Sequence, residues 1–221
     1  MNSMRGRTLH RTLLRIALSA GHVFAWIFIF QFFYVRYGSL ESGLTSTLLT
    51  YALSQVVTVL LTPLCAAFMR YGFKRMLIYS TLLLAAGFAL LAASFGGYLG
   101  SVGWGIGLFA TCLGAYRALY FVPYALMREL VPGEATYVRE IIVAIAPACA
   151  GLSLTAGPSM LIVLPAILAA LLALSLVPLL PLSDAREAYV WGYRQTFHEL
   201  FARSRARMLV GTLVAGVEGT E

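Results

Sequence analysis

Four stretches of this chain carry no Asp, Glu, Lys or Arg: residues 16–35, 42–69, 76–116 and 141–183. About 20 apolar residues suffice to cross a bilayer as a helix. The first two stretches therefore hold one helix each. The third is broken at Gly96-Gly97 and the fourth at Gly157-Pro158, so each reads as two. Hydrocarbon offers no partner to a peptide N–H or C=O, which excludes open strands from such segments. The chain is 60% hydrophobic and 11% charged, against about 25% charged in an ordinary soluble domain. The pattern predicts an all-α polytopic membrane protein whose first partner is the lipid bilayer. Its six helices fall at 13–35, 43–69, 76–95, 100–127, 139–157 and 160–181.

The net charge of +7 suggests a nucleic-acid partner until its distribution is considered. With the N-terminus inside, fourteen of the sixteen Lys and Arg fall in cytoplasmic segments; Arg36 alone lies in an outer loop and Arg117 lies inside a helix. Excess Lys and Arg in short loops marks the cytoplasmic side. Basicity here reports topology, with both termini in the cytoplasm of a plasma or inner membrane, and no nucleic acid is expected. The first apolar run is too long for a signal peptide and no small-x-small cleavage site follows it. Cys65, Cys112 and Cys149 fall in three different helices, where they read as small packing residues rather than a disulfide framework or a metal site.

The expected organisation is a cytoplasmic segment 1–12, a six-helix transmembrane domain 13–181, a linker 182–207 and an apolar run 208–221. In the linker, Val190, Tyr193, Phe197, Leu200 and Phe201 recur at helical spacing with Arg194, His198 and Arg205 elsewhere on the wheel. That is an amphipathic helix lying along the membrane surface. The final run, MLVGTLVAGV from Met208, is too short to span and reads as the opening of a truncated seventh helix.

Arg117 is the most informative residue. It sits mid-helix in LGAYRALYFVPY, at a depth where a charge costs roughly 2.5–3.5 kcal/mol on insertion scales. Two readings stand: a cavity-facing cation that binds an anion or couples transport, and a stem that snorkels to the interface. His22, Gln31, Tyr116, Tyr120 and Tyr124 are the candidates to line the same cavity. His22 itself reads either as a proton relay or as a hydrogen-bonded packing histidine. Ser46, Thr50, Ser54, Thr58 and Thr62 form a four-residue repeat that suits close helix packing. No catalytic constellation, cofactor motif or metal-ligand spacing is found, so neither an enzyme nor a cofactor is expected.

Residues 63–77 read PLCAAFMRYGFKRML. The Arg70-Tyr71-Gly72-Phe73-Lys74-Arg75 link between helices two and three resembles the cytoplasmic signature of major facilitator superfamily transporters, roughly G-x-x-x-D-R-x-G-R-R. Arg70, Gly72 and Lys74 match it, Arg75 adds a further charge, and Cys65 and Met69 stand in place of its glycine and aspartate. The order of six helices, a long linker and a seventh helix is also similar to that family's N-terminal half. The resemblance implies two inverted three-helix repeats, a cytoplasmic gate at Arg70, Gly72, Lys74 and Arg75, and alternating access for a small solute. It also implies a partner, the C-terminal half of the same transporter, missing from this chain. Of the family's fourth-helix pattern only Arg117 carries over, and of its antiporter signature only Gly157-Pro158. A stand-alone six-helix scaffold or self-associating channel is the alternative.

The topology has a direct test. With the native cysteines replaced, single cysteines at Ser39 and Gly97 are expected to label from outside and one at Ser183 only from inside. Labelling of Ser183 from outside, or of Ser39 only from inside, inverts the assignment.

Overall fold

The computed structural model describes residues 2–69, 72–130, 137–157 and 159–180. Every regular element among them is helical: α1 (Asn2–Tyr37), α2 (Leu40–Met69), α3 (Phe73–Phe95), α4 (Val102–Leu130), α5 (Tyr137–Thr155) and α6 (Met160–Ser175), closed by a 3-10 turn at Val177–Leu179. The amphipathic linker and the apolar run expected over 182–221 lie outside the described residues, as do Arg70 and Tyr71.

The first three helices begin earlier than the charge pattern predicts, whereas α4 starts at Val102 against a predicted 100 and α6 starts at Met160 as predicted. α1 starts at Asn2 rather than residue 13, α2 at Leu40 rather than 43, and α3 at Phe73 rather than 76. Charge marks where hydrocarbon ends, whereas a helix stops where the backbone is broken. Arg5, Arg7 and Arg11 interrupt the apolar run but are good helix formers. The segment 1–12 is therefore helix over the residues described, continuous with the first span. The breaks fall instead on glycines with positive φ: Gly38 at 64°, Gly72 at 114°, Gly97 at 79°, Gly100 at 68° and Gly157 at 119°. Side chains rarely adopt such angles, so glycine ends one helix and lets the next set off in the opposite direction.

Among the described residues, four helices are long and apolar enough to cross a membrane, over Thr12–Tyr37, Leu40–Leu64, Lys74–Phe95 and Val102–Tyr120. The other two predicted spans are apolar over shorter lengths, Ala144–Thr155 and Met160–Ser175. The sixth ends at Ser175 instead of residue 181, because the 3-10 turn carrying Pro178 takes over and proline has no N–H to continue the ladder. Sixteen residues of α6 rise about 24 Å.

The surface is that of a chain built for lipid. Only 11% of the apolar window of α2 is buried inside the bundle, and Leu44, Leu48, Leu49, Leu53, Val56, Val59 and Leu60 face outward. A monomeric soluble protein rarely exposes so continuous an apolar face. Tyr34, Tyr37, Tyr98 and Trp104 are exposed where α1 and α3 end and α4 begins. Their amphipathic rings suit a membrane–water boundary.

Contacts at both ends fix the helix directions. Nδ1 of the fully buried His10, near the start of α1, donates to the Ser175 carbonyl at the end of α6 over 2.7 Å. Lys74 Nζ, at the start of α3, donates to the Leu180 carbonyl over 2.6 Å. At the opposite end, Phe32 of α1 meets Phe95 of α3 with ring centroids 6.1 Å apart. α1 and α3 thus run parallel, with α6 antiparallel to both. The closely packed pairs are α3 with α4, α2 with α4, α3 with α6, α1 with α2, α1 with α5 and α1 with α6, with lighter contact between α2 and α3 and between α5 and α6. Advancing each label by three, cyclically, maps all these pairs but one onto pairs in the same set. The exception, α1 with α2, maps onto α4 with α5, whose connection at 131–136 lies outside the described residues.

Apolar side chains gain nothing by leaving lipid for one another, so close packing and hydrogen bonds must hold the helices together. The core joins Phe28 and Ile29 of α1, Leu84, Phe88 and Leu91 of α3, Phe109 and Leu113 of α4, and Leu172 of α6. Close approach depends on glycine. A Cβ on Gly21 would stand 2.7 Å from the Phe88 ring. On Gly114 it would stand 2.8 Å from Val57 Cβ and closer still to the Ser54 carbonyl. At this crossing of α2 and α4, Thr58 Oγ1 also donates to the Gly114 carbonyl over 3.2 Å. Such a bond is worth about 0.6 kcal/mol in a membrane protein. Ser54 and Thr58 of the four-residue stripe thus serve close packing.

Gly114→Ala is expected to destabilise the detergent-solubilised protein by about 1–3 kcal/mol, the usual cost of overpacking. Gly107→Ala, on the same helix with open space at its Cβ, should be neutral or slightly stabilising. Equal melting behaviour of the two variants would show that the α2–α4 crossing is looser than drawn.

Candidate functional site

Three helices contribute a polar residue or an aromatic ring to one point near mid-depth. Arg117 is close to the centre of α4, His22 lies within the apolar part of α1, and Tyr51 is near the centre of the span in α2. Arg117 Nη2 lies 3.2 Å from Nε2 and 3.3 Å from Nδ1 of His22. Trp26, one turn along α1, donates its indole Nε1–H to His22 Nε2 over 3.1 Å. The Arg117 guanidinium carbon sits 5.7 Å from the centroid of the Tyr51 ring. Trp26 closes the circle, meeting Tyr51 edge-on at 5.3 Å and Phe109 at 6.4 Å.

The helical period explains this set. His22 and Trp26 are four residues apart and share a face of α1. Neighbours on a helix point about 100° apart, so Arg117 faces α1 and α2 while Tyr116 turns inward. Tyr116 is fully buried and Tyr120 nearly so, both within the hydrophobic core. Their rings stack at 5.0 Å. These two predicted lining residues therefore belong to the packing behind Arg117. Gln31 stands nine residues beyond His22, about half a turn round α1 and 13–14 Å along it, away from the cluster. The side chain of Tyr124 lies outside the described residues. Trp26 and Tyr51 are the members that sequence reasoning missed. Trp26 was legible as the i+4 neighbour of His22; nothing in the sequence pairs Tyr51 with Arg117.

The donor inventory of the cluster is unbalanced. Guanidinium and indole groups only donate, a neutral imidazole offers one acceptor nitrogen, and the Tyr51 hydroxyl accepts from Arg117. Trp26 already points at Nε2, so Nδ1 carries the imidazole proton and Arg117 Nη2 must share Nε2. Arg117 Nη1 is buried and has no hydrogen-bond partner among the described residues. No carboxylate is near in sequence. Glu41 is ten residues from Tyr51 along α2 and Glu129 twelve from Arg117 along α4, about 15 and 18 Å. α1, α3 and α6 contain no acid, and α5 carries one, Glu140, three residues from its start. The Tyr51 face supplies a cation–π contact worth about 0.5–2 kcal/mol, less than the cost of the charge at this depth.

The predicted gate residues divide. Gly72 caps α3 with φ 114°, an angle that favours glycine. Lys74 holds the Leu180 carbonyl at the end of the 3-10 turn, where a cation meets the negative end of a helix. Arg75 is exposed, and Arg70 lies outside the described residues. Comparisons with protein-family models, curated proteins and solved structures return no match to the chain.

The shared nitrogen makes Arg117 and His22 energetically coupled. His22→Leu alone should lower the thermal midpoint, since it leaves the guanidinium with one partner fewer. Adding Arg117→Met should restore much of the loss, with a coupling of about 0.5–3 kcal/mol. Strictly additive losses in a double-mutant cycle would mean that the two side chains do not interact.

Proposed function

We propose that the chain is the N-terminal half of a secondary active transporter of the major facilitator type, moving a small solute across the cytoplasmic membrane by alternating access. The observation that carries the reading is Arg117, a cation at mid-helix whose contacts are His22 and the Tyr51 face. A charge at such depth is retained where it meets a solute, an ion pathway or a partner. A purely structural role would be served better by an apolar residue.

Two further features support it. Helix pairs that map onto one another when labels advance by three suit two three-helix repeats. Because three is odd, the second repeat enters the membrane from the opposite side, as in transporters built from inverted repeats. Positive φ at Gly72 and the capping contact of Lys74 suit the α2–α3 turn as one half of a gate. In this reading both termini are cytoplasmic, α5 and α6 complete six crossings, and a second six-helix bundle encloses the solute against α1 and α4. The chain is not an enzyme and needs no cofactor.

Flux into proteoliposomes tests the reading. Co-reconstituted with a complementing six-helix half, the protein should take up a member of a panel of sugars, amino acids and organic anions in a saturable manner. Arg117→Ala should abolish uptake while inserting normally, and Arg117→Lys should keep part of it. Normal uptake by Arg117→Ala would return the residue to a snorkelling role. Saturable uptake by the 221-residue chain alone would replace the half-transporter with a self-sufficient one.

A further inference from the structure

We infer that the solute recognised at the Arg117–His22–Trp26 cluster is a small oxyanion, a carboxylate or an inorganic phosphate or sulfate. This solute class rests on the transporter reading; the anion site itself does not.

The inference follows from what the cluster lacks. It presents the N–H groups of a guanidinium, an indole and an imidazole, and to receive them only one imidazole nitrogen and the neutral Tyr51 hydroxyl, to which Arg117 is hydrogen-bonded. Nη1 of Arg117 is buried without a hydrogen-bond partner among the described residues, and Nη2 competes with Trp26 for His22 Nε2. A buried donor left unsatisfied is costly, and more so when charged. A water molecule would supply an acceptor but not the countercharge. An oxyanion supplies both, since its oxygens are acceptors in the plane that the guanidinium fork prefers. An uncharged sugar or a cation would leave the charge uncompensated or worsen it.

The surroundings fit such a ligand. Arg117 and His22 are each partly exposed rather than sealed in the core. α1 and α4 are not among the closely packed helix pairs, so side chains, not backbone contacts, bridge them at this point. The guanidinium lies 5.7 Å from the centroid of the Tyr51 ring and is hydrogen-bonded to the Tyr51 side chain, which fixes its position while Nη1 stays without a protein partner among the described residues. Arg117 stands fifteen residues from the start of α4 and thirteen from its end. Its partner His22 lies ten residues inside the apolar span that starts at Thr12, about 15 Å, which is half the thickness of the hydrocarbon core and deeper than a lipid headgroup sits.

Trp26 provides the reporter. In the full chain with Trp104→Phe and Trp191→Phe, purified in an uncharged detergent, acetate, benzoate, phosphate and sulfate are titrated against Trp26 emission. Acetamide and benzamide serve as uncharged isosteres. One or more of the anions should give a saturable change and the amides none. Arg117→Gln should weaken the binding about tenfold or more, Arg117→Lys should fall between, and Arg36→Gln should bind as the parent does. Gel filtration and circular dichroism establish that each variant is folded. Absence of a saturable response to any anion overturns the inference, as does equal affinity in Arg117→Gln or, should that variant not fold, in Arg117→Lys. A response produced only by nanodiscs containing phosphatidylglycerol, without free anion, assigns the cluster to a headgroup and overturns it too. Liposome flux separates this inference from the transporter reading. Anion binding without flux supports the site while the transporter reading fails. Uptake of an uncharged solute without anion binding overturns the anion and leaves the transporter reading standing.

Discussion

A peptide group in hydrocarbon has no solvent to fall back on, and each unsatisfied N–H or C=O costs several kcal/mol. That constraint makes long stretches of this chain helical before any side chain is considered. It also explains why the breaks are so sharp. The turn after α1 falls at Gly38 and the turn before α3 at Gly72, both with positive φ. A reversal of the chain within a few residues leaves little backbone unpaired. With the backbone satisfied internally, apolar burial no longer drives assembly. The bundle is held by what fits: Gly21 against Phe88 and Gly114 against Val57 and Ser54, with hydrogen bonds such as His10 to the Ser175 carbonyl.

The same medium that makes apolar contacts cheap makes polar ones consequential. Thr47, Thr50 and Thr62 dispose of their hydroxyls by returning them to the carbonyl one turn back, a local solution that asks nothing of another helix. Arg117 has no such solution, because its donors reach beyond its own turn and its charge remains. What surrounds it is therefore a set of compromises: a shared imidazole nitrogen, an aromatic face, and one buried nitrogen left over. Each partner comes from a different helix, so the position of the guanidinium is sensitive to how α1, α2 and α4 stand relative to one another.

How much of this was legible in the sequence depended on which physical quantity the residues report. The apolar stretches report hydrocarbon thickness, and they located each of the six helices among the described residues. They misplaced the start of α1, because Arg5, Arg7 and Arg11 are excluded from lipid yet welcome in a helix. Arg117 and His22 stood out as polar residues in apolar runs, and the structure brings them together. Tyr116 and Tyr120 were grouped with Arg117 by proximity in sequence, but the turn of α4 sends them into the core. Tyr51 was illegible because its partner lies on another helix, and only the crossing of α2 with α4 relates the two. The inside-positive charge count constrains orientation, whereas helix packing is indifferent to which side is which.

The pairing of helices ties the polar cluster to the architecture. When labels advance by three, α3 with α6 and α1 with α4 are each carried onto themselves, so both pairs straddle the relation between the two triplets. α3 and α6 are closely packed, while α1 and α4 are not. One side of the bundle is thus a tight seam and the other is bridged by His22 and Arg117 across matched helices. A seam of apolar contacts has one good arrangement. A seam bridged by long polar side chains tolerates small displacements and responds to whatever satisfies those side chains. Under the transport reading proposed above, a bundle that stays rigid along one side while answering a ligand on the other would place its charge on the first helix of a triplet, at mid-depth. Arg117 occupies that position.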